Sequence, residues 1–282
     1  MTHSIRRDNN TMKKIILVTG ATDGIGLATA KMLVAEGHHV LIHGRNAQKL
    51  SQVEAELKAI PGKSEIESFR ADLSNLGDVA ALADAISAQH NKLDVIINNA
   101  GVYKVPQITS VDNLDVRFVV NTIAPYLLTQ RLLPLLNSTG RVVNLSSAAQ
   151  ASVNLTALAS ANAGPADGAV YAQSKLAITM WSVHLATTLQ NSGPAFIAVN
   201  PASFLGSKLV KEAYGMAGAD LNIGADILCR AALSDEFAHA SGRYFDNDQG
   251  QFTAPHADAL NIVKNQQLVA AIESIIAQVN LG

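Results

Sequence analysis

Ile15-Ile16-Leu17-Val18-Thr19-Gly20-Ala21-Thr22-Asp23-Gly24-Ile25-Gly26 is the stretch that decides the fold. The four apolar residues at its start read as a buried strand. The pattern from Ile25 to Glu36 reads as a helix. Between them lies a glycine turn. Gly20 permits a tight reversal, Gly24 lets backbone approach a pyrophosphate, and Gly26 lets the helix pack on the strand. The helix N-terminus adds free N–H groups and partial positive charge. A glycine-rich turn alone means little, but one set between a first strand and a first helix points to a dinucleotide. Gly20, Thr22, Asp23, Gly24, Ile25 and Gly26 are the candidates to hold it.

The same alternation continues outward. Val40–Ile42, Ile66–Phe69, Val95–Ile97, Arg141–Leu145, Phe196–Val199 and Tyr244–Phe245 read as further strands. Helical patterns cover Ala47–Leu57, Leu76–Gln89, Asn113–Leu136, Ala169–Gln190 and Ala259–Gln278. Apolar strands alternating with helices predict an α/β domain with a mostly parallel sheet of seven strands, covered on both faces. Ligands of such sheets bind outside the strand C-termini, near the switch in strand order. Residues 1–12 read as a flexible tail and 13–282 as one domain. Two irregular segments follow strands on the ligand side. Residues 148–169 are expected to wall a substrate pocket. Residues 203–224 are expected to form a lid whose Phe204, Leu205, Tyr214 and Met216 give it an apolar inner face. Asp246–Gln249 reads as a turn before the last helix.

Composition excludes several classes. Of the 282 residues 48% are apolar and 16% charged, with a formal net charge of −2. That supports a large core and leaves no basic field for nucleic acid or anionic membranes. The single cysteine, Cys229, fits a reducing compartment. No apolar run reaches the ~18 residues a membrane span needs, and no signal-peptide pattern follows Arg6-Arg7. A cytoplasmic protein without a membrane or nucleic-acid partner is expected. No metal is expected either. His38, His39 and His43 crowd one strand edge, and Asp246-Asn247-Asp248 lacks the rest of a calcium loop.

The strand ends carry the chemistry. His43-Gly44-Arg45-Asn46 closes the second strand, and no acidic residue lies between His38 and Ser51. Arg45 can pair with a ribose 2′-phosphate through its guanidinium fork, which favours NADP(H) over NAD(H). A solvated surface arginine would look the same. Asn98-Asn99-Ala100-Gly101 ends the fourth strand, Leu145-Ser146-Ser147 the fifth, and Tyr171-Ala172-Gln173-Ser174-Lys175 lies on the following helix. The four-residue spacing sets Tyr171 and Lys175 on one helix face. An ammonium beside a phenol favours the phenolate, so Tyr171 can serve as general acid or base.

These motifs together resemble the short-chain dehydrogenase/reductase family, which carries T-G-x-x-x-G-x-G, N-N-A-G, a catalytic serine and Y-x-x-x-K. The resemblance runs from about Lys13 to the C-terminus. It implies a Rossmann-type, doubly wound sheet and an NADP(H)-dependent oxidoreductase that interconverts a small-molecule carbonyl and alcohol. It also implies roles. Ser147 rather than Ser146 would polarise the substrate oxygen. Asn121 would hold a water that links Lys175 to solvent. Asp72 and Leu73 would hold the adenine, although Asp72 also fits a helix N-cap. Asn99, Ala100 and Gly101 would line the ribose, beside Tyr171 and Lys175. The 23 residues between Ser147 and Tyr171 resemble the insertion of the retinol-dehydrogenase-like branch. The family's Pro-Gly after the sixth strand is Pro201-Ala202 here. Its nicotinamide-contacting threonine is replaced by Gly206 or Ser207, so Pro201, Ser203 and Ser207 are the candidates there. Family members are often dimers or tetramers, which makes a homodimer or homotetramer an expectation. A non-catalytic NADP(H)-binding sensor or scaffold on the same fold is the alternative.

Overall fold

The structure is a computed structural model that describes residues 12–206, 211, 215, 217–279 and 281. The predicted tail apart from Met12, and Ser207, Tyr214 and Met216 of the predicted lid, lie outside these residues.

The chain runs β1 (Ile15–Val18), α1 (Gly24–Ala35), β2 (His39–Gly44), α2 (Ala47–Lys58), β3 (Ile66–Arg70), α3 (Leu76–Gln89) and β4 (Val95–Asn98). It continues through α4 (Val116–Phe118), α5 (Ala124–Leu132), β5 (Arg141–Leu145), α6 (Leu155–Leu158), α7 (Asp167–Leu189) and β6 (Ala195–Asn200). It closes with α8 (Leu221–Leu233), β7 (Tyr244–Asp246), β8 (Gln251–Thr253) and α9 (Ile262–Gln278). Among the described residues the sheet has eight strands, ordered β3-β2-β1-β4-β5-β6-β7-β8. The first seven are parallel, and β8 pairs antiparallel with β7. The eighth strand corrects the sequence reading. Asp246–Gln249 turns the chain back into a hairpin, with Asp246 paired to Gln251, instead of leading to the last helix.

Side chains alternate across each strand, so the sheet has two cores. Ile16, Val18, Val95 and Ile97 face α1, α2 and α8. Leu17, Ile96 and Val142 face α3, α5, α7 and α9. The largest buried side chain, Trp181, packs edge-on against Tyr126 at 5.7 Å. The strand order reverses between β1 and β4, and the cleft described below opens there.

The predicted helix Asn113–Leu136 is interrupted. Asn113 has φ +58°, and helical structure starts only at Val116. Residues Val119–Ile123 then form a π-type turn, in which Ala124 N–H donates to Val119 O. Pro125 has no N–H, so the Asn121 carbonyl lacks its ordinary i+4 donor. Pro134 sits in a 3₁₀ turn, Leu133–Leu135, that ends the run. No helix among the described residues is long and apolar enough to cross a membrane.

Candidate active site

The turn after β1 closes as the glycines demand. Gly20 has φ +65°, and a Cβ there would sit 2.9 Å from Ala100 Cα. A Cβ on Gly26 would come within 2.3 Å of both Gly20 O and Asn99 Nδ2. Thr19 Oγ1 accepts from the N–H groups of Asn99 and Ala100, each at 3.1 Å. Asn99 Nδ2 donates to Thr19 O at 2.8 Å. The turn and the N-N-A-G segment are therefore one hydrogen-bonded unit across the switch point. Asn98 looks the other way. Its Nδ2 donates to Asn144 Oδ1 at 2.8 Å inside the sheet. Asp23 caps α1 by accepting from Gly24 N–H at 2.8 Å.

A cleft of about 550 Å³ opens over these segments. It is lined by every predicted cofactor or catalytic residue within the described chain except Asn121. A nicotinamide dinucleotide fits on the residues present. The glycines of the turn let a pyrophosphate approach the backbone, and the N–H groups of the first turn of α1 have no intrahelical partners, although Asp23 caps that of Gly24. Asp72 is not the helix cap. Its Oδ1 accepts from Ser74, and Asn75 caps α3.

Several residues at the cleft escaped the sequence reading. His43 is buried. Gly20 N–H donates to its Nδ1 at 3.2 Å, and its Nε2 meets Ala71 O at 3.1 Å. Burial lowers its pKa to about 4, so it is neutral at pH 7 and carries the Nε2 proton. His43 thus pins the glycine turn to the end of β3. Lys49 lines the cleft beside Arg45, and its Nζ pairs with Asp23 Oδ2 at 2.6 Å. Tyr103 packs against Tyr171, with ring centroids 5.3 Å apart. No spacing rule marks these three. Each is defined by what the sheet brings beside it.

The two serines after β5 differ. Ser146 is buried, and its hydroxyl lies 2.7 Å from Thr179 Oγ1 and donates to Lys175 O at 3.1 Å. Ser147 lines the cleft, with its carbonyl held by Tyr244 Oη at 3.0 Å. Tyr171 and Lys175 face the same cleft from α7, and Lys175 Nζ sits 5.6 Å from the Tyr171 ring centroid. Lys175 is buried and donates to Leu145 O at 2.7 Å. Burial lowers its pKa to about 8, so the ammonium is still the main form at pH 7. Asn121 stands one layer behind. Its Nδ2 donates to Val102 O at 2.8 Å, and its Oδ1 accepts from Val102 N–H at 2.8 Å. It fixes the strand-end loop, while its own carbonyl has Pro125, which lacks an N–H, at the i+4 position.

The segment before α7 is anchored rather than loose. It includes α6, and Asn154 N–H donates to Gln173 Oε1 at 2.9 Å. Arg117 is fully buried beneath it. Its guanidinium reaches Asp115 Oδ2 at 2.6 Å, Asp167 Oδ1 at 2.8 Å and Gly164 O at 2.8 Å.

After β6 the backbone is strained. Ala202 has φ +115° and Phe204 φ +54°, both regions that suit glycine. Ala202 stands where the resemblance expects glycine. Asp248 holds the bend by accepting from Ser203 N–H at 2.8 Å and Ser203 Oγ at 2.6 Å. The Ser203 hydroxyl is thus bound to protein although the residue lines the cleft. Ala202→Gly relieves the strain and adds unfolded-state entropy. The relief is larger, so a net gain of about 1 kcal/mol, near 2 °C in Tm, is expected in thermal melts.

The sequence profile of the short chain dehydrogenase family matches residues 14–217. Human polyprenol dehydrogenase is 32% identical, over 90% of this chain and 81% of its own. Mouse retinol dehydrogenase 12 is 30% identical, over 86% of this chain and 81% of its own. A short-chain dehydrogenase from Shigella flexneri, solved with NADP, superposes with a TM-score of 0.65 at 27% identity, covering 83% of this chain and 97% of that one. The chain therefore belongs to the short-chain dehydrogenase/reductase family, in its retinol-dehydrogenase-like part, and is an oxidoreductase built to bind a nicotinamide dinucleotide.

Proposed function

We infer that the protein uses NADP(H) to interconvert a carbonyl and an alcohol on an apolar small molecule. The observation that carries this reading is the convergence of Ser147, Tyr171 and Lys175 on the cleft that the glycine turn also lines. A nicotinamide cofactor held on these residues would supply or take the hydride at the carbonyl carbon. Tyr171 Oη delivers the proton to the carbonyl oxygen in reduction and removes it in oxidation. Ser147 Oγ donates to the same oxygen and stabilises its developing charge. The Lys175 ammonium, held by Leu145 O, favours the Tyr171 phenolate. The carbonyl of Asn121 is offered to a water on the path from Lys175 to solvent.

Two features support the 2′-phosphate form of the cofactor. Arg45 lies at the cleft edge without an acidic neighbour on its strand, and Lys49 adds a second cation. The Lys49–Asp23 pair is 45% and 66% exposed, so it is worth well under 1 kcal/mol and exchanges readily for a phosphate. An apolar substrate is supported by Val102, Tyr103, Val120, Phe204 and Leu205 along the cleft. Two relatives are named for polyprenol and retinol, which are apolar alcohols.

The test is a panel of apolar aldehydes, ketones and alcohols, followed by NADPH and NADH absorbance. Turnover with NADPH is expected to exceed that with NADH. Arg45→Ala should raise KM for NADPH about tenfold, the loss of roughly one charge-assisted contact, and leave NADH unchanged. Equal use of both cofactors by the unaltered protein would overturn the NADP(H) assignment. Absence of turnover with all substrates would favour the sensor reading.

A further inference from the structure

At the end of the sheet away from the cleft, three ligand-type side chains converge. His39 opens β2, Glu67 lies near the start of β3, and His90 caps the C-terminus of α3. His39 Nε2 is 2.6 Å from Glu67 Oε1, and His90 Nε2 is 3.2 Å from Glu67 Oε2. The ligand atoms of all three lie within 4.8 Å of one another. The imidazoles meet edge to face at 67°, so they are not stacked. Both histidine side chains are 9% exposed and Glu67 is 32% exposed. The group is therefore shielded by protein but open to solvent on the carboxylate side. Behind it, Glu65 Oε2 lies 3.6 Å from His39 Nδ1, and Lys13 holds Glu65 at 2.5 Å.

We propose that His39, Glu67 and His90 bind a divalent transition-metal ion of the zinc type. Two imidazole nitrogens and one carboxylate are a borderline donor set that suits zinc or cobalt. Magnesium and calcium take oxygen ligands instead. A His39 that ligates through Nε2 must carry its proton on Nδ1, and the Glu65 carboxylate, 3.6 Å from that nitrogen, becomes its acceptor after a closure of about 0.5 Å. This carboxylate–histidine pairing orients metal-binding histidines. Ligand bonds of about 2.0 Å in a tetrahedron need donor atoms roughly 3.3 Å apart, so the 2.6 Å contact has to open and the other donors, already within 4.8 Å, have to settle at that spacing. The three protein donors leave one position for water, reached past the exposed edge of Glu67.

The site is separate from the chemistry. His39 and Gly44 are the two ends of β2, about 17 Å apart at ~3.3 Å per residue, and Gly44 lines the cleft. A metal here ties the edge strand β3 to β2 and to the end of α3. Its effect falls on stability, because whatever binds only the folded state stabilises it. The histidines next to His39 take no part. His38 Nδ1 accepts from Lys14 N–H, and His43 serves the glycine turn.

The test uses the full, untagged chain, treated with chelator and titrated with zinc chloride by calorimetry. One saturable site per chain is expected, together with a zinc-dependent rise in melting temperature. His90→Ala and Glu67→Gln should each weaken zinc by tenfold or more and abolish the rise, with an unchanged far-UV circular dichroism spectrum. Cobalt added in place of zinc should give visible ligand-field bands that are lost in His90→Ala. Two results overturn the proposal. One is the absence of saturable zinc binding, which leaves the group a plain histidine–carboxylate cluster. The other is binding that survives both substitutions. Neither depends on turnover, so the outcome is independent of the reaction proposed above.

Discussion

Tyr171→Phe is expected to lose about 10³-fold in kcat, near 4 kcal/mol of transition-state stabilisation, and to keep near wild-type affinity for NADPH. The substitution removes one oxygen. The ring stays packed against Tyr103, and α7 keeps its length and its buried face. Lys175 stays in place because Leu145 O holds its ammonium. What disappears is the only atom of that side chain able to exchange a proton with the substrate oxygen. Steady-state kinetics on a substrate found in the panel gives kcat, and quenching of intrinsic fluorescence by NADPH gives the affinity. Full turnover by the phenylalanine variant would remove Tyr171 from the mechanism. A loss of both turnover and NADPH binding would show a disturbed cleft instead of a missing proton donor.

Much of this site was legible in sequence because its residues sit where the pattern changes. The glycine turn, Asn98–Gly101, Ser147 and Pro201–Ser203 each follow a buried apolar run directly. In a parallel sheet all strand ends of one polarity meet on one side. Register in sequence thus becomes convergence in space. What stayed hidden is whatever depends on pairing between distant elements. His43 reads as one of three clustered histidines, yet its partners are Gly20 and Ala71, just past the ends of the neighbouring strands β1 and β3. His39 and His90 are brought to Glu67 only by the β2–β3 register and the length of α3. The β7–β8 hairpin was missed because Gln251–Thr253 is too short to show a period. The split of the long helix was half visible. Pro125 marks the place, but the π-type turn requires the loop ahead of it, where Asn113 delays the start.

Arg117→Met should cost about 3–5 kcal/mol of folding stability, a large share of the 5–15 kcal/mol that typical domains possess. Arg117 and Asp115 are both fully buried, joined by contacts of 2.9 Å from Nε and 2.6 Å from one terminal nitrogen. Asp115 holds the guanidinium pKa above its ordinary value, so the arginine is charged at every accessible pH. Methionine fills most of the volume but leaves the Asp115 carboxylate buried without its counter-charge, and Gly164 O without a donor. Arg117→Met paired with Asp115→Leu should recover part of the loss, since removing a whole buried pair costs less than removing half of it. The same substitution reaches the cleft. Asp167 is the first residue of α7, one turn before Tyr171, and Ala163 N–H rests on Asp115 at 2.9 Å. Without the guanidinium, residues 148–169 lose the anchor that sets the wall against the catalytic helix. Chemical denaturation reads the stability term. Kinetics at a temperature where the variant is folded read the other, where KM for substrate is expected to rise more than kcat falls. A fall in kcat at unchanged KM would mean that Arg117 positions Tyr171 itself, and a variant of unaltered stability would show that Asp115 finds its compensation elsewhere.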